Sequence, residues 1–533
     1  MVTIELSEKV LKKYISEMKK NSANGSDSIN GRVLFDIFPS IQRTLHHLIN
    51  LSLCSGIFPS VFKTTKIAPI LKPGKNPLDP LSYRPVSNLC NIGKLIERAK
   101  SDQIKLHIRK SGLINNNQHG GLSDHSTTTC LLELMEILNE KNDTKVKTAV
   151  LAVDLSSAFD LVSHKLLLEK CRLLSLGSET LKWLENYLNG RKQYVDVNGE
   201  CSTMLPSGNT GVIQGAQSSG ELFLIYLNNL PDLGKDKNVN QNTPISKQFV
   251  DDLNSVISGK DNEELMKNIL KEYKRLEKIL INHRMKINRG KTQLMYIKPE
   301  KELRNKILYI DNTEIKHQKT IKTLGVTIAE DLKFDEHLHK GKSNMQKSLN
   351  TEKALLKIVK PFISQKALAQ VGSSLINSTI LYAAPVWSRT SKSNMQKIQA
   401  CQTRAARMVA NQKWQKGKKS HRQDVLNHLN WPNTYQLATT SSLNIVKKAI
   451  NGTSSKGINN LFRVSDPKKA RSNKGQTITH KGPNGRKNHH FAVYASEEYN
   501  NLPATMRNTS ITQLQFKKAV KNHVRTTNLL QKH

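Results

Sequence analysis

The chain has 533 residues and a formal net charge of +39, from 82 Lys and Arg against 43 Asp and Glu. This length allows roughly two or three domains with a sizeable core. The charge predicts a polyanionic partner, either nucleic acid or an anionic membrane surface. No apolar run approaches the ~20 residues of a membrane-spanning helix, and the six cysteines are isolated, without a Cys-x-x-Cys pair. Composition therefore disfavours a membrane partner, a zinc knuckle and disulfides.

The N-terminal half shows mixed helical and strand patterns. The first 20 residues carry a helical stripe rather than a signal peptide, so we expect a location in the nucleus or cytoplasm. Residues 1–60 are predicted to be helical around a loop at Asn21–Gly31, and turn signals follow between residues 60 and 100. The next predicted elements are helices at Lys94–Leu113, Thr127–Glu140, Ser163–Leu176, Glu179–Asn189, Gly220–Asn229 and Asn262–His283, and strands at Val146–Val153, Gln193–Asn198, Lys247–Val250 and Leu253–Ile257. Because the two types do not alternate strictly, the predicted class is α+β.

Positive charge is concentrated after a helical pattern at residues 340–395. Residues 401–533 contain 24 Lys and Arg and only four acidic residues, a net charge of +20. The stretch Gly452–His490 is rich in polar residues and glycine and is predicted to be loosely folded. Nonspecific phosphate contact is the favoured interpretation of this region, and a merely solvated face is the alternative. Aromatic residues among the bases could also stack on single-stranded RNA: Trp414, Trp431, Tyr435, Phe462, Phe491, Tyr494, Tyr499 and Phe516.

Two acidic motifs are candidates for a metal site. Asp154 follows an apolar strand, and Asp251 and Asp252 lie between apolar residues where a hairpin turn is expected. Adjacent carboxylates repel each other unless cations neutralise them, and Mg²⁺ prefers carboxylate oxygens. Two strand ends with such residues could hold the two metal ions of a phosphoryl-transfer site. The alternative is that each is an ordinary cap or turn residue.

Further motifs in a fixed order make the sequence similar to the reverse transcriptases of jockey-like non-LTR retrotransposons. The motif Asp154–Asp160, followed by Val162–His164, resembles the family's first catalytic motif, and Phe249–Asp252 resembles the second. The other matching segments are Ser82–Leu89, Asn117–Gly120 with Ser126–Thr128, Gly211–Gly215, Leu222–Pro231, Asn288 with Lys291 and Thr292, and Thr323–Val326 with His337.

The resemblance implies a right-hand polymerase fold. Its fingers and palm would occupy residues 61–330 and its thumb residues 331–395. An N-terminal helical extension would form residues 1–60, and a basic, largely helical and partly disordered region residues 396–533. The implied activity is addition of deoxynucleotides to a DNA 3′ end on an RNA template, with two Mg²⁺ ions. The implied partners are therefore the RNA template, the DNA primer and deoxynucleoside triphosphates, and no protein partner is predicted.

The resemblance also implies ligands for the metals. Asp154 and Asp251 would bind both ions, Asp252 would support them, and the carbonyl of Leu155 would ligate the ion on the nucleotide side.

Four further residues would contact the substrate. Phe159 would exclude a ribose 2′-hydroxyl, although an ordinary core aromatic is the alternative. Gln214 would lie along the template–nucleotide pair, and Arg84 would bind substrate. Lys291 would approach the triphosphate and protonate the pyrophosphate leaving group, unless it is only a solvated lysine.

Departures from the family pattern favour an alternative function. Ile213 stands where the family has proline, and Leu122 follows Gly121 where the family has Phe-Arg. Polar residues at Ala216–Glu221 replace an apolar stretch and are expected to loosen the following helix. The alternative is a catalytically decayed, basic RNA-binding remnant of such a polymerase.

Two other activities of such elements are not predicted. The first ~60 residues are too short for an endonuclease domain. The four acidic residues after position 400 are too few and too scattered for a ribonuclease H site.

Overall fold

A computed structural model describes residues 4–21, 23–235, 243–310, 313–342, 344–412, 421–465, 476–480, 490–508 and 510–526. These residues form two compact units. Unit 1 comprises the described residues of Met1–Gly121, Asp154–Gly234 and Lys274–Asn288. Unit 2 comprises those of Leu122–Val153, Lys235–Tyr273 and Arg289–His533.

The strands form two larger sheets and three small hairpins. One sheet has the order β2-β1-β4-β5, with β6 also paired to β4, and the other has the order β7-β8-β3-β9. The hairpins are β10-β11, β12-β13 and β14-β15. In chain order the strands are β1 Thr64–Leu71, β2 Tyr83–Asn88, β3 Lys147–Val153, β4 Lys192–Val197, β5 Glu200–Cys201, β6 Leu205–Pro206, β7 Ile245–Phe249, β8 Asp252–Gly259, β9 Gln293–Tyr296, β10 Leu308–Ile310, β11 Thr313–Ile315, β12 Thr320–Thr323, β13 Val326–Ala329, β14 Phe462–Val464 and β15 Ile478–His480.

Helices make up most of the remaining described chain. They are α1 Glu8–Glu17, α2 Gly31–Ser55, α3 Asn91–Ser111, α4 Thr127–Asp143, α5 His164–Leu173, α6 Ser178–Leu188, α7 Ser219–Tyr226, α8 Asn262–Asn282, α9 Lys301–Asn305, α10 Met345–Val359, α11 Gln365–Gly372, α12 Ser378–Leu381, α13 Ala384–Trp387, α14 Lys392–Val409, α15 His421–His428, α16 Thr434–Ile450, α17 Lys456–Asn459, α18 Phe491–Asn500 and α19 Gln513–Thr526. Short 3₁₀ turns lie at Ser60–Phe62, Pro80–Ser82, Arg289–Lys291 and Lys360–Phe362, and π turns at Glu336–Lys340 and Ser373–Asn377.

This architecture confirms the predicted α+β class. Each helix and strand predicted between residues 94 and 283 is present, with ends that differ by a few residues. The ends differ because caps and tertiary contacts set them more than the apolar pattern does. Within the described ranges, no helix is both long and apolar enough to cross a bilayer.

Aromatic packing holds the helices of unit 1 together. Trp183 and Tyr187 of α6 stack with ring centroids 5.0 Å apart, and Phe58 meets both rings edge-on. Such aromatic pairs contribute beyond the area that they bury. They fix α6 against the end of α2 and the start of β1.

Unit 2 has one hydrophobic core that joins the β7-β8-β3-β9 sheet to the C-terminal helices. Leu134 and Leu138 of α4 and Val150 of β3 belong to the same cluster as Trp387 of α13 and Phe516 of α19. Helix α14 runs through residue 395, the predicted end of the thumb.

The C-terminal aromatic residues are core residues. Trp431, Tyr435, Phe462, Phe491, Tyr494, Tyr499 and Phe516 are all buried. The predicted possibility that they stack on RNA is therefore wrong for these seven, because their rings pack against the helices instead. Trp414 lies outside the described residues.

The predicted loosely folded stretch Gly452–His490 is described only in part. Residues 466–475 and 481–489 lie outside the described residues. The remainder includes α17 and the paired strands β14 and β15.

Buried charged groups on α4 link the sheet to the C-terminal region. The carboxylate of Glu133 pairs with Lys247 of β7 and accepts a hydrogen bond from Ser455 Oγ at 2.5 Å. One turn further along, Glu136 accepts a hydrogen bond from the backbone N–H of Phe491 at 2.6 Å and contacts Nδ1 of buried His490 at 3.2 Å. Each carboxylate thus connects α4 to a segment more than 300 residues later in the chain.

The first testable prediction concerns the Glu133–Lys247 pair, in which both side chains are buried. Lys247→Met leaves the Glu133 carboxylate buried without this cation. We expect the free energy of unfolding to fall by about 3–5 kcal/mol. Urea unfolding followed by circular dichroism measures the change.

Lys147→Met is the matched control in the same unit, because Lys147 pairs with Glu300 at an exposed site. That change should cost far less than Lys247→Met, because exposed ion pairs contribute little to stability. The double variant Glu133→Gln/Lys247→Met should recover part of the loss, since no unpaired charge remains. Equal losses in Lys247→Met and Lys147→Met would contradict the assignment of a stabilising buried pair.

Candidate active site

The predicted acidic motifs lie at the ends of neighbouring strands. In unit 2, β3 pairs antiparallel with β8, and its last residue, Val153, lies opposite Leu253. Leu253 is two residues after Asp251, and Asp154 is joined to Val153 by one peptide bond. The register therefore brings the end of β3 to the same edge of the sheet as the β7–β8 turn.

The β7–β8 turn is a tight hairpin with a strained residue. Phe249 pairs with Asp252, so the loop consists of Val250 and Asp251 alone. Val250 has φ +59°, which is rare for a β-branched residue, and its carbonyl accepts a hydrogen bond from Gln248 Nε2 at 2.8 Å. Strain of this kind costs of order 1–3 kcal/mol and is common at functional sites. The turn leaves Asp251 half-buried and Asp252 exposed.

The segment after Asp154 is held by a short antiparallel bridge in unit 1. The N–H of Asn288 donates to the carbonyl of Asp154 at 2.8 Å, and the N–H of Ser156 donates to the carbonyl of Lys286 at 3.0 Å. These two bonds lie on either side of Leu155 and Ile287, which therefore face each other as a non-hydrogen-bonded pair of the antiparallel bridge. In such a pair the carbonyl of each residue points away from the partner strand. The Leu155 carbonyl is therefore directed away from Ile287, as a metal-ligating carbonyl requires.

The position of the Phe159 side chain is fixed by stacking on another aromatic ring. Its ring stacks on that of buried Phe223 of α7 with centroids 4.5 Å apart and an interplanar angle of 6°. Its carbonyl accepts a hydrogen bond from the N–H of Val212 at 2.9 Å. The ring remains half-buried, so one part of it is fixed by packing while another part is accessible.

The motif around Gln214 is joined to the segment that carries Phe159. Gln214 Nε2 donates to Asp160 Oδ1 at 3.1 Å, and the Gln214 carbonyl accepts a hydrogen bond from the N–H of Ser87 at 2.9 Å. His164 Nε2 lies 2.8 Å from the carbonyl of Gly211, and burial lowers the pKa of this imidazole. Unit 1 thus brings together three motifs that the sequence predicted separately. Arg84, on the same strand as Ser87, has an exposed side chain.

Lys291 precedes the strand on the other side of β3. Within unit 2, Gln293 at the start of β9 pairs with Ala152 near the end of β3. Lys291 lies two residues earlier and is exposed. It therefore belongs to the same sheet edge as the β7–β8 turn.

The polar segment Ala216–Glu221 at the start of α7 has hydrogen-bond partners that the sequence does not reveal. The N–H and Oγ of Ser218 donate to Glu97 at 2.8 and 2.7 Å, and Glu221 pairs with Lys105 at 3.0 Å and accepts from Ser101 at 3.2 Å. Burial raises the pKa of the Glu97 carboxyl, and the bonds from Ser218 oppose this effect. The expectation that these polar residues loosen α7 is therefore wrong, because α3 supplies their hydrogen-bond partners. The distance of over 100 residues between α3 and α7 hid this pairing.

The atoms predicted to bind a metal ion at this site are all oxygen atoms. Across the described ranges, no group of three or more His, Cys, Asp and Glu side chains is close enough to hold a metal ion. The predicted ligands are instead the carboxylates of Asp154 and Asp251 and the Leu155 carbonyl. Mg²⁺ at phosphoryl-transfer sites commonly takes one or two protein carboxylates and completes its shell with water and substrate phosphates. The residues present therefore fit Mg²⁺.

Comparison with known proteins shows which family the segment that carries this site resembles. Residues 70–328 match the family model described as reverse transcriptase (RNA-dependent DNA polymerase). The match includes β3, the β7–β8 hairpin and β9, and it confirms the predicted polymerase fold. The predicted boundaries between fingers and palm, thumb and C-terminal region stay predictions.

Curated relatives come from mobile elements of flies. The RNA-directed DNA polymerase from mobile element jockey of Drosophila funebris is 24% identical over 409 residues, which cover 76% of this chain and 44% of that protein. A probable RNA-directed DNA polymerase from transposon X-element of Drosophila melanogaster is 25% identical, covering 75% of this chain and 43% of that protein. The chain thus spans less than half the length of these relatives.

Solved structures of yeast telomerases are also similar. Telomerase from Candida albicans, solved with a fragment of telomeric RNA, has a TM-score of 0.41 at 13% identity and covers 70% of this chain and 66% of that one. Apo telomerase from Candida tropicalis has a TM-score of 0.40 at 14% identity and covers 74% of this chain and 67% of that one. From the family model and the curated relatives, we conclude that the chain resembles the reverse transcriptases of jockey-like non-LTR retrotransposons.

Proposed function

We propose that this chain is an RNA-directed DNA polymerase that extends a DNA 3′ end on an RNA template during retrotransposition. The observation that carries the proposal is the β3–β8 register, which brings the strand that leads to Asp154 to the edge that carries Asp251. Both residues stand in the motif contexts that the family uses for catalysis. The substrates are deoxynucleoside triphosphates, the DNA primer and the RNA template.

The proposed reaction is a phosphoryl transfer at the α-phosphorus of the incoming nucleotide. The primer 3′ hydroxyl gives up its proton to water and its oxygen forms a bond to that phosphorus. The bond between the α-phosphorus and the oxygen that bridges to the β-phosphorus breaks, and pyrophosphate leaves. Two Mg²⁺ ions held at this edge would supply the positive charge that activates the attacking oxygen and stabilises the leaving one. Asp154, Asp251 and the Leu155 carbonyl are the proposed ligands, and Asp252 supports them.

Other residues position the substrate. Lys291 donates a proton to the departing pyrophosphate, which its exposed place at the sheet edge allows. Gln214 lies along the template–nucleotide pair, and its bond to Asp160 restricts its side chain. Arg84 contacts the substrate through its exposed guanidinium.

A second candidate function is a decayed polymerase that binds RNA without extending a primer. Leu122 and Ile213 favour it, since each replaces a residue that the family uses near the nucleotide. The hydrogen bonds of Ser218 and Glu221 weigh against it, because they keep the start of α7 ordered despite its changed sequence.

Primer extension with the full chain tests the proposal. The assay uses an oligo(dT) primer on poly(rA) with Mg²⁺, and we expect extension by the unmodified chain. Asp154→Asn or Asp251→Asn should reduce the rate by roughly a thousandfold or more, since a lost metal ligand removes several kcal/mol of transition-state stabilisation. Asp36→Asn is the control, because Asp36 is an exposed carboxylate on α2.

Two outcomes would overturn the proposal. Extension by Asp251→Asn at the rate of Asp36→Asn would remove the catalytic assignment. Tight binding of the primer–template by the unmodified chain with no extension would support the decayed polymerase.

The third prediction concerns the choice of sugar and depends on Phe159. An aromatic ring against C2′ excludes a hydroxyl by volume, and forcing that group into a filled site costs on the order of 1–3 kcal/mol. Phe159→Ala should therefore raise ribonucleotide incorporation relative to deoxynucleotide incorporation by roughly tenfold to a hundredfold. The ratio of the two kcat/KM values is the measurement.

Phe159→Leu is the control for lost stacking on Phe223, since it removes the ring but keeps most of the volume. It should leave the ratio nearer to that of the unmodified chain. A general loss of activity in Phe159→Ala with an unchanged ratio would identify Phe159 as a core aromatic that packs beneath the Asp154 segment.

A further inference from the structure

A large recess in unit 2 is lined by basic, neutral polar and apolar residues. Its volume is about 1130 Å³, and it lies among helices α11, α12, α15, α16 and α19. None of the described residues that line it is acidic. We call it the basic groove and define it by its charged and ionisable residues: Lys366, His428, Lys448, Lys517, Lys521 and Arg525.

Helix α19 supplies the basic face of the groove. Lys517, Lys521 and Arg525 are spaced four residues apart and therefore lie on one side of the helix. The neighbouring stripe of Phe516, Val520 and Val524 is buried in the core. Since the buried stripe fixes the rotation of α19, the basic stripe cannot turn away from the groove.

The positive charge of the groove is not neutralised within the described part of the chain. Lys366, Lys448, Lys517 and Lys521 take part in no ion pair there. Arg525 donates to the side-chain and backbone oxygens of Asn430 at 2.9 and 3.1 Å, and both acceptors are uncharged. Like charges gathered around one recess repel each other, and a bound polyanion removes that repulsion.

Between apolar residues such as Leu381, Leu429 and Ile445, the lining also carries polar groups that suit a sugar–phosphate backbone. Hydroxyl and amide groups of Ser373, Ser374, Thr440, Ser441 and Asn444 can donate hydrogen bonds to phosphate or ribose oxygens. Trp431 is the aromatic residue of the lining, but it is buried and its Nε1 donates to the carbonyl of Ala369 at 3.2 Å. No aromatic face in the described lining is thus offered for base stacking.

We propose that the basic groove binds the phosphodiester backbone of a single-stranded nucleic acid without base preference. The recess can enclose a short single strand, whereas a rigid duplex would contact only its rim. This binding site is additional to the polymerase site, and its test does not depend on catalysis.

The test compares two charge-matched variants of the full chain. Lys448→Gln/Lys517→Gln/Lys521→Gln removes three groove charges. Lys9→Gln/Lys12→Gln/Lys518→Gln removes three exposed charges elsewhere, and Lys518 lies on α19 beside the groove residues without lining it. Fluorescence anisotropy with labelled oligo(rU), oligo(rA), oligo(dT) and duplex RNA gives the dissociation constant over a range of salt concentrations.

The groove variant should lower the slope of log affinity against log salt for single strands by about 2, because each phosphate that a lysine neutralises accounts for roughly 0.7 of that slope. The control should change it by clearly less, and duplex affinity should fall equally in both variants. Oligo(rU) and oligo(rA) should respond alike. A larger loss of affinity with oligo(rU) than with oligo(dT) would assign part of the binding to the ribose 2′-hydroxyl, and equal losses would assign it to the phosphates.

A charge-neutral variant distinguishes binding inside the recess from binding to the overall positive charge of the protein. Ser374 is exposed and lines the groove, so Ser374→Trp should obstruct the recess without unfolding the chain and should weaken single-strand binding. Equal effects of the two triple variants on single strands would overturn the proposal. Competition by poly-L-glutamate as strong as that by oligo(rU) of equal charge would also overturn it, in favour of an acidic protein segment.

Discussion

The antiparallel register of β3 against β8 is the constraint on which the proposed active site depends. A shift of one residue would move every side chain of β3 to the other face of the sheet. It would also separate the end of β3 from the turn that carries Asp251. Polar contacts fix the neighbouring β7–β8 register, which sets the turn at Asp251: Ser246 and Ser255 lie directly opposite each other with their Oγ atoms 2.9 Å apart, and Ser255 also donates to Glu272 at 3.0 Å. A buried polar pair of this kind is satisfied in one register only.

The C-terminal region contributes to the same core that supports this sheet. Helix α4 packs leucines against β3 and also presents Glu133 and Glu136 to Ser455 and Phe491. Because buried carboxylates without partners are costly, these C-terminal contacts help to hold α4 in its position. The basic groove lies among helices of that region. Its lysines Lys448, Lys517 and Lys521 belong to helices that are packed in a core on one side and exposed on the other.

Local patterns were sufficient to predict the elements that carry the site. Apolar runs of strand length predicted β3 and β8, and the paired acids predicted the hairpin turn at Asp251. Motif order predicted the polymerase fold. Contacts between distant segments could not be predicted, because no local pattern shows which carboxylate meets which donor. The bonds from Ser218 to Glu97, the Glu133–Lys247 pair and the burial of the C-terminal aromatics were missed for this reason. The positive φ of Val250 was also hidden, since the sequence at that point favours an extended strand.

A crystal structure of the full chain with Mn²⁺, a deoxynucleoside triphosphate and a primer–template would test the central claim most directly. Anomalous scattering locates Mn²⁺ independently of the surrounding atoms. We expect two Mn²⁺ ions about 3.5–4 Å apart, both ligated by Asp154 and Asp251, with the Leu155 carbonyl on the ion next to the triphosphate. Binding of the nucleotide with its metal ions at carboxylates other than Asp154 and Asp251 would contradict it.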